Sequence, residues 1–159
     1  MNRLTCVAMV FVAAFGSAVA APAKTEADAK AAEEARSAHF KDIGKTWAPI
    51  AEMLKRKQPY DAAVVEKQAA EVAEKAKKIP ALFEVDTRDF KDLKTEALDG
   101  IWTGQADFSA KAEAMSRAAQ ALSDASKDGG DAAAFPKNAA AVGKACSACH
   151  DTYRMKKAD

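Results

Sequence analysis

Gly143-Lys144-Ala145-Cys146-Ser147-Ala148-Cys149-His150-Asp151-Thr152-Tyr153-Arg154 is the stretch that decides how this chain is built. It gathers two of the three cysteines and one of the two histidines. In Cys-x-x-Cys-His the two thiols add across the vinyl groups of a haem to form thioethers, and the adjacent imidazole ligates the iron. On a helix, Cys149 lies three residues and His150 four residues beyond Cys146, so all three side chains share a face and address one flat ligand. Two other readings use the same residues. A thioredoxin-like dithiol belongs beside a βαβ pattern, which this sequence lacks. A structural zinc site needs four ligands, and the fourth would have to be the distant His39.

Upstream, Phe135, Ala139, Val142, Cys146, Cys149 and Tyr153 step by 4, 3, 4, 3 and 4 residues, so the two cysteines lie on an apolar helical stripe. The haem therefore belongs inside a helical core. Pro136 fits the first turn of this helix, and Lys156 and Lys157 suit its negative end. A first helix begins at Thr25, which caps it with Asp28 three residues on, and runs along Ala32, Arg36, Phe40, Ile43, Trp47, Ile50 and Leu54, bending at Pro49. Ala21 to Lys24 reads as a disordered lead-in. A turn at 58–61 ends in Asp61, which caps a second helix on Val65, Ala69, Val72, Ala76 and Ile79, stopped by Pro80.

Residues 81–93 have no clean period and read as a loop with one helical turn at most. A third helix starts between Lys94 and Ile101 and lasts to about Lys127, burying Ala97, Ile101, Phe108, Met115, Ala119 and Leu122. Gly100 and Gly104 sit four residues apart beside Trp102, which implies either close approach of a helix or of the haem, or a frayed start. Asp128 to Asp131 is a turn. Four amphipathic helices with mostly short links make an all-α, antiparallel up-and-down four-helix bundle.

Residues 1–20 differ in kind: Arg3, an apolar run from Leu4 to Phe15, and Ala18-Val19-Ala20 form a secretory signal peptide, with a second cleavage option after Ala23. The domain is then 21–159, and Cys6 leaves with the leader. The apolar run is shorter than a membrane span, so no membrane insertion of the mature chain is expected. Removing Arg3 leaves 23 basic against 23 acidic residues, interspersed on helical faces, which excludes a nucleic-acid footprint. With no cysteine spare, no disulfide is expected.

The stretch quoted above, together with Pro59-Tyr60-Asp61-Ala62-Ala63, Ile101-Trp102 and Ala35 to Gly44, resembles the cytochrome c' family across nearly the whole mature chain. The resemblance implies a periplasmic, often dimeric c-type cytochrome with one covalent haem c on its last helix. Such a protein binds nitric oxide or carbon monoxide, or passes electrons to a redox partner, and is not an enzyme. Residue by residue, Cys146 and Cys149 match the thioether cysteines and His150 the proximal iron ligand. Arg154 matches the arginine beside that ligand, its cation expected to disfavour an anionic imidazolate, or else is a surface arginine at a helix end. Arg36 falls where a haem propionate is paired, the alternative being a solvated arginine. Phe40 matches the position facing the distal side of the iron, or is simple core. In some relatives a methionine there is the sixth ligand. With none here, the iron is expected to be five-coordinate and high-spin. The alternative is an electron-transfer cytochrome with His39 as sixth ligand, although His39 and Phe40 point about 100° apart on a helix.

Overall fold

The computed structural model describes residues 20–156, so the leader up to Val19 and Lys157 lie outside the described residues. A two-residue strand, β1 (Ala21–Pro22), opens the described chain where a disordered lead-in was expected. The Ala21 N–H donates to the Glu84 carbonyl and the Ala23 N–H to the Asp86 carbonyl, both at 2.8 Å. Two backbone bonds to a distant loop leave no periodic trace in a sequence.

Helix α1 (Glu26–Leu54) starts at Thr25, whose hydroxyl accepts from the Asp28 N–H at 3.1 Å, and runs as one helix through Pro49. It buries Ala29, Arg36, Ile43, Thr46, Ile50 and Met53. Leu54, expected on that stripe, is 36% exposed and Met53 takes its place. A 3, 4, 3, 4 pattern averages 3.5 residues per turn, and a straight helix at 3.6 drifts off it by about 20° per heptad. Helix α2 (Ala62–Lys77) is capped by Asp61, which accepts from the Val64 N–H at 3.1 Å. Val65, Ala69, Val72 and Ala76 are buried along it, and Ile79 just beyond its end. Pro80 opens a 3-10 turn, Pro80–Phe83, leading into β2 (Val85–Asp86), which pairs in parallel with β1.

The expected third helix is two. Helix α3 (Gly100–Thr103) breaks at Gly104, with φ −125° and ψ 37°, and α4 (Gln105–Asp124) follows. Helix α5 (Phe135–Tyr153) has Pro136 in its first turn. Past its end, the Leu98 N–H donates to the Tyr153 carbonyl at 3.0 Å and the Met155 N–H to the Glu96 carbonyl at 2.7 Å, tying the C-terminal end to the segment before α3.

The four long helices form the bundle. Helix α2 packs on α1 and α4, and α4 on α5, whereas α1 and α5 barely touch. Ile50, Val65, Val72, Leu122 and Val142 are fully buried in the core, each worth roughly 1.5–3 kcal/mol of transfer free energy. Three edges of the bundle are thus closed by packing and the fourth is open.

Candidate haem site

The open edge holds a cavity of about 1000 Å³, the upper end of the range for ligand pockets. Helix α1 lines it with Arg36, Ser37, Phe40, Lys41, Ile43, Gly44 and Trp47, and α5 with Val142, Gly143, Cys146, Cys149, His150 and Tyr153. Phe108, Lys111 and Met115 of α4, Phe83, and Lys94 to Ala97 also line it, as do Val72, Ile79 and Ile101. The motif cysteines and histidine thus open onto one space together, as their spacing requires. Both thiols are free, and burial pushes both above the ordinary cysteine range. The His150 imidazole is held below its ordinary range, first by burial and then by the Arg154 cation. A neutral ring is what a metal-ligating histidine needs.

Arg154 is exposed just past the end of α5 and also lines the cavity. The sign of its effect corrects the expectation: a neighbouring cation destabilises imidazolium and would favour, not disfavour, an imidazolate. Arg36 is 2% exposed, so it is not a solvated arginine. Its Nε–H donates to the Leu82 carbonyl at 2.9 Å, an Nη1–H to Thr87 Oγ1 at 3.1 Å and an Nη2–H to the Val85 carbonyl. The guanidinium lies over the Phe83 ring, 4.5 Å from its centre, and Glu33 is 3.9 Å from Nη1. Three of its five N–H donors are used in this way, and two remain.

Phe40 is 37% exposed and lines the cavity, so it is not plain core. Its ring centre stands 6.4 Å from that of Phe83. His39 lines no part of the cavity. Its Nε2 pairs with the Lys75 carbonyl at 2.9 Å, beside a cross-helix cluster in which Lys75 reaches Thr46 Oγ1 at 2.6 Å and Asp42 at 2.8 Å. A ring nitrogen on a carbonyl must carry the proton, so Nε2 is a donor there.

Two mid-helix glycines test whether the cavity fits a flat group. A Cβ added at Gly44 or Gly143 would meet nothing within 4 Å, and both residues line the cavity from opposite helices. Each costs about 1 kcal/mol of helix propensity relative to alanine, a cost that protein packing does not explain but a planar ligand passing between α1 and α5 does. The residues present fit a haem. Gly100 and Gly104 are different: there a Cβ would lie 3.6 Å from Tyr153 Cε1 and 3.3 Å from Tyr153 Oη. The close approach expected at this pair is by a side chain of α5.

The family model described as Cytochrome C' matches residues 30–154. The chain belongs to the cytochrome c' family. The cytochrome c' of Rhodopseudomonas palustris is 38% identical over 122 residues, 77% of this chain and 80% of that protein. The solved cytochrome c' from Rhodobacter Spheriodes superposes with a TM-score of 0.72 at 31% identity, covering 81% of this chain and 98% of that one. A variant of the cytochrome c prime of Alcaligenes xylosoxidans, solved as its nitric oxide complex, gives 0.67 at 26% identity, covering 81% and 97%. As a cytochrome c', the chain is a c-type haem protein carrying one covalent haem c. Ser37, Gly44, Trp47, Lys111 and the 94–97 segment were not read from the sequence as site residues. The glycines inside helical stripes were the signal that could have found two positions on the wall.

Proposed function

We propose that Cys146 and Cys149 hold the haem through thioethers, that His150 is its axial ligand, and that the face toward α1 is left for small uncharged gases. The observation that carries this is the composition of the α1 wall: among the described residues it contributes no histidine or methionine to the cavity, and Phe40, which the family resemblance puts on the distal side, lines it. When bound, the haem supplies an iron that takes a diatomic ligand or exchanges an electron. The chain's own residues set the conditions. Phe40 excludes water and crowds the vacant side, burial first and the Arg154 cation second favour the neutral His150 ring, and the two spare donors of Arg36 suit a haem propionate. The nitric oxide complex of the Alcaligenes relative supports the gas reading. Among the described residues no helix is long and apolar enough to cross a membrane. With the leader pattern, that supports export to the periplasm after signal cleavage. The family resemblance further implies a homodimer, and a gas carrier or sensor rather than an enzyme.

Intact-mass measurement after denaturation tests attachment: wild type should keep one haem, and Cys146→Ala/Cys149→Ala protein none. Electron paramagnetic resonance of the ferric protein should be high-spin, and Phe40→Ala should bind carbon monoxide faster. A low-spin spectrum that turned high-spin in His39→Ala or Met115→Leu would transfer the protein to the electron carriers.

A further inference from the structure

The exported N-terminus is joined to the haem cavity by a short ladder. Strand β2 is held from both sides. On its outer side the Glu84 and Asp86 carbonyls accept from Ala21 and Ala23, and on its inner side the Val85 carbonyl accepts from Arg36, which also holds Leu82 and Thr87. The alternation of carbonyls along an extended strand is what allows one loop to be gripped by two partners at once. Pro22 falls between the two donating residues, and an edge strand tolerates a proline where its missing N–H would have pointed to solvent. Phe83, within the gripped loop, lines the cavity and packs against Phe40, Trp102 and Phe108. Trp102 adds a third hold, its Nε1–H donating to the Phe83 carbonyl at 3.1 Å.

We propose that Ala21–Ala23 is a structural strap of the mature protein, and that signal processing cuts after Ala20 so that Ala21 becomes the N-terminal residue. This rests on the export reading above. The two candidate cuts both offer small residues at the positions that leader processing reads, Ala18 and Ala20 for one, Ala21 and Ala23 for the other. They differ in product. A chain starting at Ala21 keeps both strap bonds and makes the first of them charge-assisted, because its donor becomes the α-ammonium. A chain starting at Lys24 keeps neither, leaving the Glu84 and Asp86 carbonyls to water and the loop held by Arg36 and Trp102 from its inner side.

The full-length precursor, expressed with haem maturation and recovered from the periplasm, should have the intact mass of residues 21–159 plus one haem. Haem-loaded proteins made to begin at Ala21 and at Lys24 should differ in thermal midpoint by roughly 3–8 °C, the shift expected from two backbone hydrogen bonds in a domain of this size. Hydrogen exchange over residues 80–90 should be faster in the shorter form. A mature mass corresponding to residues 24–159 overturns the proposal. So do equal midpoints with equal exchange over 80–90. A recovered protein still carrying residues 1–20 would count against the export reading instead, and the paired proteins would then decide the strap alone.

Discussion

Tyr153 shows how one side chain can hold two elements and a site together. It lies three residues past His150, lines the haem cavity, and is 6% exposed. Its hydroxyl donates to Asp107 Oδ2 at 2.6 Å across to α4, and its ring meets Phe108 edge-on, centres 5.3 Å apart. Its pKa is pushed up to about 12, first by burial and then by the Asp107 carboxylate. In the unfolded chain a tyrosine ionises near pH 10. As pH rises the unfolded state therefore loses its proton first, so stability that is complete below about pH 10 is lost progressively between about 10 and 12. Tyr153→Phe should lower stability at neutral pH by about 1 kcal/mol, since water can replace the phenol on an aspartate that is largely exposed. It should also flatten the decline between about pH 10 and 12. Denaturant midpoints across that range, wild type against variant, check both; parallel curves would mean that Tyr153 does not titrate as its surroundings dictate.

At the scale of the element, Gly104 between α3 and α4 and Gly143 inside α5 separate two kinds of constraint. At Gly104 an added Cβ would sit 3.1 Å from the Gly100 carbonyl oxygen and 3.3 Å from Tyr153 Oη. Gly104→Ala should therefore destabilise by about 1 kcal/mol or more, as overpacking does. At Gly143 the space is open in the protein alone. In a haem-free Cys146→Ala/Cys149→Ala background, Gly143→Ala should stabilise by up to about 1 kcal/mol through helix propensity. In the haem-bearing protein the gain should vanish and the haem absorption bands should shift. Thermal unfolding of the four proteins decides it; an equal gain with and without haem would remove the haem from that wall. The same contrast explains what the sequence made legible. The four long helices and the caps at Thr25 and Asp61 were readable because a 3.6-residue period recurs over many turns and a cap is a local event. The β1–β2 pair and the bridge between Ala97 and Arg154 were not, because each is decided by a partner far away in sequence, and the break at Gly104 was legible only as one of two readings of the glycine pair. The Cys-x-x-Cys-His core of the site was legible for the opposite reason, that its chemistry is carried by adjacent residues. Most of the wall came from segments with no motif at all.

Across the whole molecule, the open edge between α1 and α5 assigns the haem a place in the core as well as in function. Both helices are amphipathic, but the faces they turn to each other meet a cavity; Ile43 and Val142 are buried beside it and Trp47 partly so. Without a haem that apolar surface has no partner along one side, while α2 and α4 remain packed against each other and α2 still grips α1 through Lys75, Asp42 and Thr46. The expected effect is therefore local before it is global. Cys146→Ala/Cys149→Ala protein should keep its helical content but lose about 3–5 kcal/mol of stability, the order found when large apolar side chains lose their packing partners. Its hydrogen exchange should rise first in α1 around 40–47 and in α5 around 143–150, with the α2 and α4 amides staying slow. Exchange that rose uniformly over all four helices would instead mean that the haem sets the stability of a single cooperative unit. Unchanged exchange would mean that the edge closes on itself when the haem is absent, and that the cavity belongs to the ligand-bearing form alone.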